Sequence, residues 1–565
     1  MFNHLSNRMV NFILLPAFVL LAITTLAQNK TSFSKETGEY AEMLQQLEHR
    51  MLNYQEKWID TLGGKPRNVF VPWIRDHVHV MKAMKYIHPD MESFIEFFLE
   101  NQTKEGLYFD YYMPLKYGKS GDRKNIFDKR YWKVFPADSI EMHRLPVEAD
   151  LEYLLVEGVY AVWQSTGDTI FVKKWLPSLV KGLNYMMHDP LRWSKKYQLV
   201  KRGYTLDTWD FMQLPYDRAE YTKRGGNIQK GIFDIDEKTQ MGIMHGDNSG
   251  LYAACNQLSS LYAATGDLNA SKKWKSEAEV VQKRTNGLCW NGKFYSHFIE
   301  DDPQPSYLKM DQKNTLSLSN PYDINRGLPT EPMTMSIIKT YQDLKESNKD
   351  SSFAEWYGIY PAVRPHFADY KPGSYMNGGV NTIVGGELAK AAFQHGYEAY
   401  GVDILKRMME LMKTHNGDLP VSYTPQGKVD EGIPDNWGQA AVYSALIEGL
   451  AGVVDKSTKF REVEISPRWL AAGKNNAEVT VKYGPSPAVI SYIYFHDEKS
   501  RKIQLYIKGD FEKSRARILM PAGISKWKAV LNNKPHPSAV EKINESYYVV
   551  IADLKGKEIN LEVSY

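Results

Sequence analysis

Several things are scarce in this chain, and each scarcity excludes a class of function. Only two cysteines occur in 565 residues, Cys255 and Cys289, too few for a disulfide-stapled scaffold; Cys255 sits on an apolar helical face, which points to a buried thiol. The charge is nearly balanced, at a net +3 that becomes +2 once Arg8 is discounted with the first 27 residues. Nucleic-acid binding needs clustered cations to displace counterions from phosphates, so it is excluded as a partner class. The histidines are scattered, and His77 and His79 stand two apart, wrong for one helix face, so neither a metal nor another cofactor is expected. Long apolar runs are absent after residue 27. The first 27 residues place Arg8 ahead of NFILLPAFVLLAITTLA and end on Thr25-Leu26-Ala27, the layout of an export signal whose Pro16 and short length argue against a membrane span. No cysteine follows it for lipid attachment. A secreted or periplasmic protein of 538 residues is therefore expected, with no membrane span after signal removal.

Aromatic residues are abundant, at 13%. In an exported protein they suit sugar recognition, because pyranose faces carry C–H groups that stack on flat rings. From about residue 40 to 455 the apolar period is helical. VEADLEYLLVEGVYAVWQSTGD sets Leu151, Leu154, Leu155, Val159 and Val162 on one stripe, and GDNSGLYAACNQLSSLYAATGD does the same with Leu251, Ala254, Cys255, Leu258 and Leu261. Both end in Thr-Gly-Asp, at 166–168 and 265–267, where the glycine can take a left-handed C-cap and the aspartate can cap the next helix. More charged helical runs follow each. A third pair runs through NGGVNTIVGGELAKAAFQHG and YEAYGVDILKRMMELMKTH, and RDHVHVMKAMKYI and DNWGQAAVYSALIEGLAGV are further apolar helices. This is an irregular repeat of helical hairpins, which arranged in a ring give an inner barrel wrapped by outer helices. After about residue 456 the period becomes two, in AEVTVKYG, VISYIYF, KIQLYIKG and four later runs, which read as the strands of a β-sandwich. The expected division is a signal peptide (1–27), a helical domain (28–455) and a C-terminal β-sandwich (456–565).

Successive inner helices of such a ring run the same way, so their N-termini gather at one end. The segments entering them are WIRD (73–76), PVEAD (146–150), HGDN (245–248), NGGVN (377–381) and PDNWG (434–438). Helix capping explains acids such as Asp247 and Asp435. It does not explain Trp73, Arg75 and Trp437 at the same end, nor the long irregular insertions at 103–145 and 191–246, which are the kind that build a site. The second insertion holds GYTLDTWDF (203–211), with Asp207 and Asp210 either side of Trp209.

Hairpin repeats carrying Trp73-Ile74-Arg75-Asp76 and Asp207-Thr208-Trp209-Asp210 resemble the six-hairpin (α/α)6 glycosidases, glucoamylase-like enzymes in particular, over about residues 40–455. The resemblance implies a mainly α fold, an (α/α)6 toroid followed by the β-sandwich, and an exo-acting, inverting glycoside hydrolase that takes an oligo- or polysaccharide. It implies that Arg75 and Asp76 hold sugar hydroxyls and that Asp210, where the family usually has glutamate, protonates the glycosidic oxygen. An inverting enzyme also needs a base to activate water. The family places a glutamate shortly before the last inner helix, where this chain has Leu419-Pro420-Val421-Ser422-Tyr423 and valine fills the position. Glu387 is the first substitute for that base, followed by Asp247, Asp418 and Glu431.

The chemistry asks for the same residue types. An acid beside an apolar ring keeps its proton because its charged form is poorly solvated, which suits Asp210 beside Trp209, with Asp207 placed to restrain or polarise it. The expected catalytic set is thus Asp210, Glu387 and Asp207. The expected sugar-binding set is Trp73, Arg75, Asp76, Trp209, His245, Asp247, Asn377, Asp435 and Trp437. Three other readings compete: a polysaccharide lyase using His245, Tyr204, Arg202 or Arg218, a phosphorylase, in which phosphate replaces the missing base, and a non-catalytic glycan binder.

Overall fold

The computed structural model describes residues 30–565 except 54–56, 58, 118–125, 435 and 525, together with the backbone but not the side chains of 431–434. Twelve helices carry the architecture: α1 (Glu39–Asn53), α2 (Ile74–Met84), α3 (Ser93–Glu100), α4 (Leu151–Thr166), α5 (Thr169–His188), α6 (His245–Thr265), α7 (Leu268–Cys289), α8 (Ser319–Arg326), α9 (Glu331–Asn348), α10 (Thr382–Gln394), α11 (Glu398–Thr414) and α12 (Asn436–Ser444), the last continuing as a π-helical stretch, Ala445–Leu450. The even-numbered helices form the inner layer. Each packs on the next, and α12 packs back on α2, so the six close into a ring. The odd-numbered helices lie outside it.

Local chemistry sets the hairpins. Gly167 and Gly266 take left-handed backbone (φ 71° and 91°), while Asp168 accepts from the amides of Ile170 and Phe171 and Asp267 accepts from that of Ala270. Both Thr-Gly-Asp turns therefore end one helix and cap the next as the sequence suggested. Inner helices are buried nearly all round. In α4 twelve of sixteen residues are buried, so the helix lies between the axis and the outer layer rather than at the surface. Cys255 and Cys289 are free and buried. Among the described residues no helix is long and apolar enough to cross a membrane.

Two sheets follow. The strands are β1 (Ser32–Phe33), β2 (Val453–Asp455), β3 (Glu462–Ile465), β4 (Asn476–Lys482), β5 (Val489–Asp497), β6 (Lys502–Gly509), β7 (Lys513–Leu519), β8 (Lys528–Leu531), β9 (Lys534–His536), β10 (Ala539–Ile543), β11 (Ser546–Leu554) and β12 (Glu558–Ser564). One sheet has the order β1-β4-β5-β6-β12-β8-β9 and the other β2-β3-β7-β11-β10. β3 and β7 pair in parallel, whereas β1 crosses from the N-terminus to pair antiparallel with β4, Ser32 opposite Thr480. Alternate residues along β6, such as Ile503, Leu505 and Ile507, are buried, the period of two read from the sequence.

This sheet region meets the C-terminal ends of the inner helices. The amide of Gly484 donates to Lys85 O (2.8 Å), that of Lys459 to Gln164 O (2.9 Å) and that of Arg468 to Leu450 O (3.0 Å). Carbonyls left over at helix ends are satisfied in this way. The opposite end of the ring, where the inner N-termini gather, is left to the insertions.

Candidate active site

At that end the first insertion is tied to α2. The amide of Ile74, free at the helix start, donates to Asp110 O (2.7 Å), and the amide of Asp110 donates to His143 O (2.7 Å). Trp73 bridges Tyr111, whose ring lies 5.9 Å from its own. These bonds set Asp110 beside Arg75. Arg75 is buried (7% exposed). Its Nε donates to Asp150 Oδ2 (2.7 Å) and its Nη2 to Asp150 Oδ1 (3.0 Å), while Nη2 also stands 3.4 Å from Glu148 Oε1. The bidentate geometry is the strong form of a guanidinium–carboxylate contact.

The three acids around Arg75 respond differently. Burial would raise the Asp150 carboxyl, but the charge and hydrogen bonds of Arg75 hold it below the usual carboxylate range. Asp110 is pushed up to about 6 by burial, against the pull of Arg75. Burial, then the neighbouring charge of Asp110, raises Glu148 well above its ordinary value. The charge of Asp210 acts on Arg75, Asp110 and Glu148 alike, so the Trp-x-Arg-Asp and Asp-x-Trp-Asp segments share one end of the ring and one cluster of charge.

Asp210 is half-buried and is delivered there by a clamped loop. Arg202 is the clamp: its Nη1 donates to Asp247 Oδ1 (3.2 Å) on α6 and its Nη2 to Trp209 O (2.6 Å). Trp209 lies nearly parallel to Trp437, centroids 5.8 Å apart at 12°, and its Nε1 donates to Tyr375 Oη (3.0 Å). Asp76 is half-buried too, and with Asp210 it acts on the buried Tyr375 hydroxyl, which burial first of all holds above its ordinary range. Among the described residues of this cluster, Asp76 and Asp210 are the partly accessible carboxylates, whereas Asp110, Glu148 and Asp150 are buried.

Several residues expected to touch substrate are placed otherwise. Asp207 is fully buried in left-handed backbone (φ 51°). Its carboxylate accepts from Thr208 N (2.6 Å), Ser319 N (3.0 Å) and Ser319 Oγ (2.5 Å), and its amide donates to His297 Nε2 (2.8 Å). It holds the loop on α8. His245 is buried, donating from Nδ1 to Asp323 Oδ2 (2.5 Å) and meeting Ser317 Oγ from Nε2 (3.0 Å). Asp247 is buried against Arg202 and is pushed up to about 6 by burial, partly offset by that arginine. Asn377 spends its amide on Val363 and Tyr370. Trp437 is buried between Trp209 and His79, whose ring stacks on it at 4.1 Å and 5°, and its Nε1 donates to Tyr322 Oη (2.5 Å). His245, Asp247, Asn377 and Trp437 therefore brace the rim. Asp435 and the side chain of Glu431 lie outside the described residues.

Glu387 departs furthest from expectation. It sits on α10 at the level of Lys82, about 10 Å below the rim at 1.5 Å per residue of α2. Its Oε1 accepts from Lys82 Nζ (2.5 Å) and its Oε2 from Asn325 Nδ2 (2.6 Å). Burial would raise it, and Lys82 and Lys390 bring it below the usual range. It lines an axial cavity of about 320 Å³ together with Lys85, Arg326, Lys390 and Glu448, to which all six inner helices contribute. Helical periodicity tells which face a residue occupies and not how far along the axis it lies. Asp418 stands 3.3 Å from Arg50 Nε on the outer helix α1. Conversely, sequence reasoning missed Asp110, whose only signal was its place in the aromatic run Leu-Tyr-Phe-Asp-Tyr-Tyr (107–112), and did not single out Glu148 and Asp150 within PVEAD.

No protein-family profile matches the sequence, and no curated protein matches it either. Solved structures do match in shape. An α-L-rhamnosidase from Dictyoglumus thermophilum superposes with a TM-score of 0.54 at 12% identity, covering 93% of this chain and 49% of that one. A GH78-family rhamnosidase of Bacillus sp. GL1 gives 0.55 at 14% identity, covering 88% and 43%. The chain has the fold of these α-L-rhamnosidases. That fold is the six-hairpin (α/α)6 glycosidase type, in agreement with the resemblance read from the Trp-x-Arg-Asp and Asp-x-Trp-Asp motifs. The chain spans about half the length, or less, of these two rhamnosidases.

Proposed function

We propose that this protein is an exported glycoside hydrolase that removes a sugar from a chain end, with Asp210 as the proton donor to the glycosidic oxygen. The observation that carries the reading is the convergence of Asp210, Asp76 and the Arg75 cluster at the end of the ring where the inner N-termini point. Those N-termini carry partial positive charge, which favours carboxylates there. Trp209 and Trp73 supply partly exposed aromatic surface for a pyranose face. Arg75 uses Nε and Nη2 on Asp150 and Glu148, which leaves Nη1 for a sugar hydroxyl. In place of Glu387, Asp76 is the partly accessible carboxylate that takes the proton from the attacking water, giving an inverting reaction. The two C-terminal sheets read as a β-sandwich of residues 456–565 that supports the far end of a helical domain, 28–455. Export follows from the first 27 residues, and N-terminal sequencing of the protein recovered outside the cytoplasm tests it.

The rim also weighs against a lyase. Four carboxylates around one guanidinium, with Asp76 at the same rim, repel a uronate. The candidate bases are occupied as well: Arg202 is held by Asp247 and the Trp209 carbonyl, His245 by Asp323, the Tyr204 hydroxyl donates to Asp302 O (2.6 Å), and Arg218 pairs with Asp369 (2.7 Å).

The test is a panel of neutral oligosaccharides and aryl glycosides, α-L-rhamnosides included on the strength of the fold, with products followed by proton NMR. Free sugar of inverted anomeric configuration is expected from the wild type. Asp210→Asn is expected to lower turnover at least about a hundredfold, the scale of losing a general acid. Near-normal turnover in that variant removes Asp210 from the role.

A further inference from the structure

The axial cavity exists because one inner helix is short. In the ring α8 stands between α6 and α10, but it has 8 residues where α6 has 21 and α10 has 13. At 1.5 Å per residue that is about 12 Å against about 31 Å for α6. It stops at Arg326, where Gly327 takes left-handed backbone (φ 77°) and caps it. The space beyond is left to side chains. Asn325 and Arg326 from the end of α8, Asn256 from α6 and Lys390 from α10 all stand on the wall of the cavity of about 320 Å³. One water needs roughly 10–15 Å³, so the space admits an organic molecule. The wall also reaches the surface: Asn256 Oδ1 accepts from Lys275 Nζ (2.9 Å), which is exposed on α7.

This wall offers positive charge and unused N–H groups. Four cations, Lys82, Lys85, Arg326 and Lys390, face three carboxylates, Glu157, Glu387 and Glu448. Glu387 takes Lys82 (2.5 Å), and Glu448 takes both Lys85 (3.1 Å) and Lys390, as well as the Tyr86 hydroxyl (2.9 Å). One cation is left over. Asp455 lies beyond Lys85, but its oxygens accept from the amides of Ser457 and Phe460 and from the Tyr483 hydroxyl, and His245 and Asp323 form a pair of their own. An ammonium carries three N–H donors and a guanidinium five. Lys82 donates to Glu387, and Lys390 donates to Glu448 and, at 3.4 Å, to Ser444 Oγ. Arg326 donates from Nη1 to Gly246 O and Ser249 Oγ (3.1 Å each), and its Nη2 stands 3.9 Å from Glu157. Among the described residues, N–H groups of all three are thus left without an acceptor. They converge: Lys82 Nζ and Arg326 Cζ lie 4.3 Å and 5.5 Å from the ring centre of Tyr322, and Lys390 stands three residues on from Glu387, on the same face of α10.

We propose that the axial cavity is a second binding site, which takes a small monocarboxylate between Lys82, Lys390 and Arg326. One negative charge answers the surplus cation, and carboxylate oxygens accept charge-assisted bonds from the N–H groups that the wall leaves over. A neutral molecule leaves the charge unanswered, and an apolar one leaves the donors dry as well. The wall keeps its charges at neutral pH. Burial would raise Glu387 and Glu448, yet their lysines hold both below the usual carboxylate range, and burial would lower Lys390, yet Glu448 holds it above its ordinary value.

Calorimetric titration with lactate at constant ionic strength tests the site, with lactamide, which has the shape of lactate without its charge, as the control. One saturable site is expected for lactate and none for lactamide. The Tm is expected to rise with lactate concentration, because a ligand held by the folded state alone stabilises it by mass action. Lys390→Met leaves three cations for three carboxylates, with Glu448 still held by Lys85 and Tyr86. It is expected to weaken lactate binding at least about tenfold, the scale of one hydrogen bond to a charged group. A crystal structure of the wild type grown with lactate serves even if Lys390→Met fails to fold, and a carboxylate is expected there in reach of Lys82, Lys390 and Arg326. No saturable binding, equal binding of lactamide, undiminished binding in a folded Lys390→Met, or lactate seated only outside the cavity overturns the site. Inorganic phosphate bound there more tightly than lactate overturns the choice of a monocarboxylate. None of these readouts needs a glycoside to be cleaved, so they stand apart from the hydrolase reading.

Discussion

The two levels of the ring's interior are both highly charged and are built on opposite terms. In the axial cavity every one of these carboxylates is answered: Glu387 by Lys82, Glu448 by Lys85 and Lys390, and Glu157 by Arg326. At the rim four carboxylates, Asp110, Glu148, Asp150 and Asp210, gather around Arg75, with Asp76 nearby facing Tyr375, and only Asp150 is fully answered by the arginine. Matched buried pairs hold a structure together and gain little by being moved. Unmatched acids kept at one mouth, with two of them raised well above their ordinary range, are the pattern of a site that trades protons. The layer of His79, Trp437 and Tyr322 lies between the two levels, with Tyr322 facing the cavity and Trp437 carrying Trp209.

That contrast can be attacked from both sides. The largest effect is expected from Arg75→Ala, which strands Asp150 as a buried charge without its partner. A loss of about 3–5 kcal/mol of stability in urea unfolding is expected, the range for breaking a buried pair. A loss below about 1 kcal/mol would mean that water already screens the rim and that the contrast is overdrawn. Glu387→Gln probes the other level. It leaves Lys82 one hydrogen bond in place of an ion pair and is expected to cost about 1–3 kcal/mol, while turnover on a cleaved glycoside stays within a few fold. A collapse of turnover with unchanged Tm would move the chemistry into the axial cavity. The smallest effect is expected from Trp209→Ala, which removes the ledge but no charge. KM should rise roughly tenfold or less, as suits about 0.5–1.5 kcal/mol of ring stacking, with kcat changed little.

Much of this arrangement could be read from the sequence, and the gaps have physical reasons. The stripes of α4 and α6 and the two Thr-Gly-Asp turns were legible because apolar spacing and cap chemistry are local. So were α2, α10 and α12. The inner helix α8 was not: Ser-Asn-Pro-Tyr-Asp-Ile-Asn-Arg is short and mostly polar, because Asp323, Asn320 and Asn325 face hydrogen-bond networks with His245, Tyr295 and Glu387 rather than a hydrophobic neighbour. At the site, Arg75, Asp76 and Asp210 carried recognisable neighbours. The setting of Asp207 was not legible because it depends on Ser319, more than a hundred residues away, and that of Glu387 because a helical period is blind to depth. Asp110 had no local pattern; its place comes from a backbone bond to the first turn of α2.

The central claim is that the rim, and not the axial cavity, receives the sugar. A crystal structure of Asp210→Asn soaked with a glycoside that the wild type cleaves tests it most directly. The sugar is expected against Trp209 and Trp73, with a hydroxyl in reach of Arg75 Nη1 and the glycosidic oxygen beside residue 210. A sugar seated instead among Lys82, Glu387 and Lys390, with the rim empty, would contradict the account.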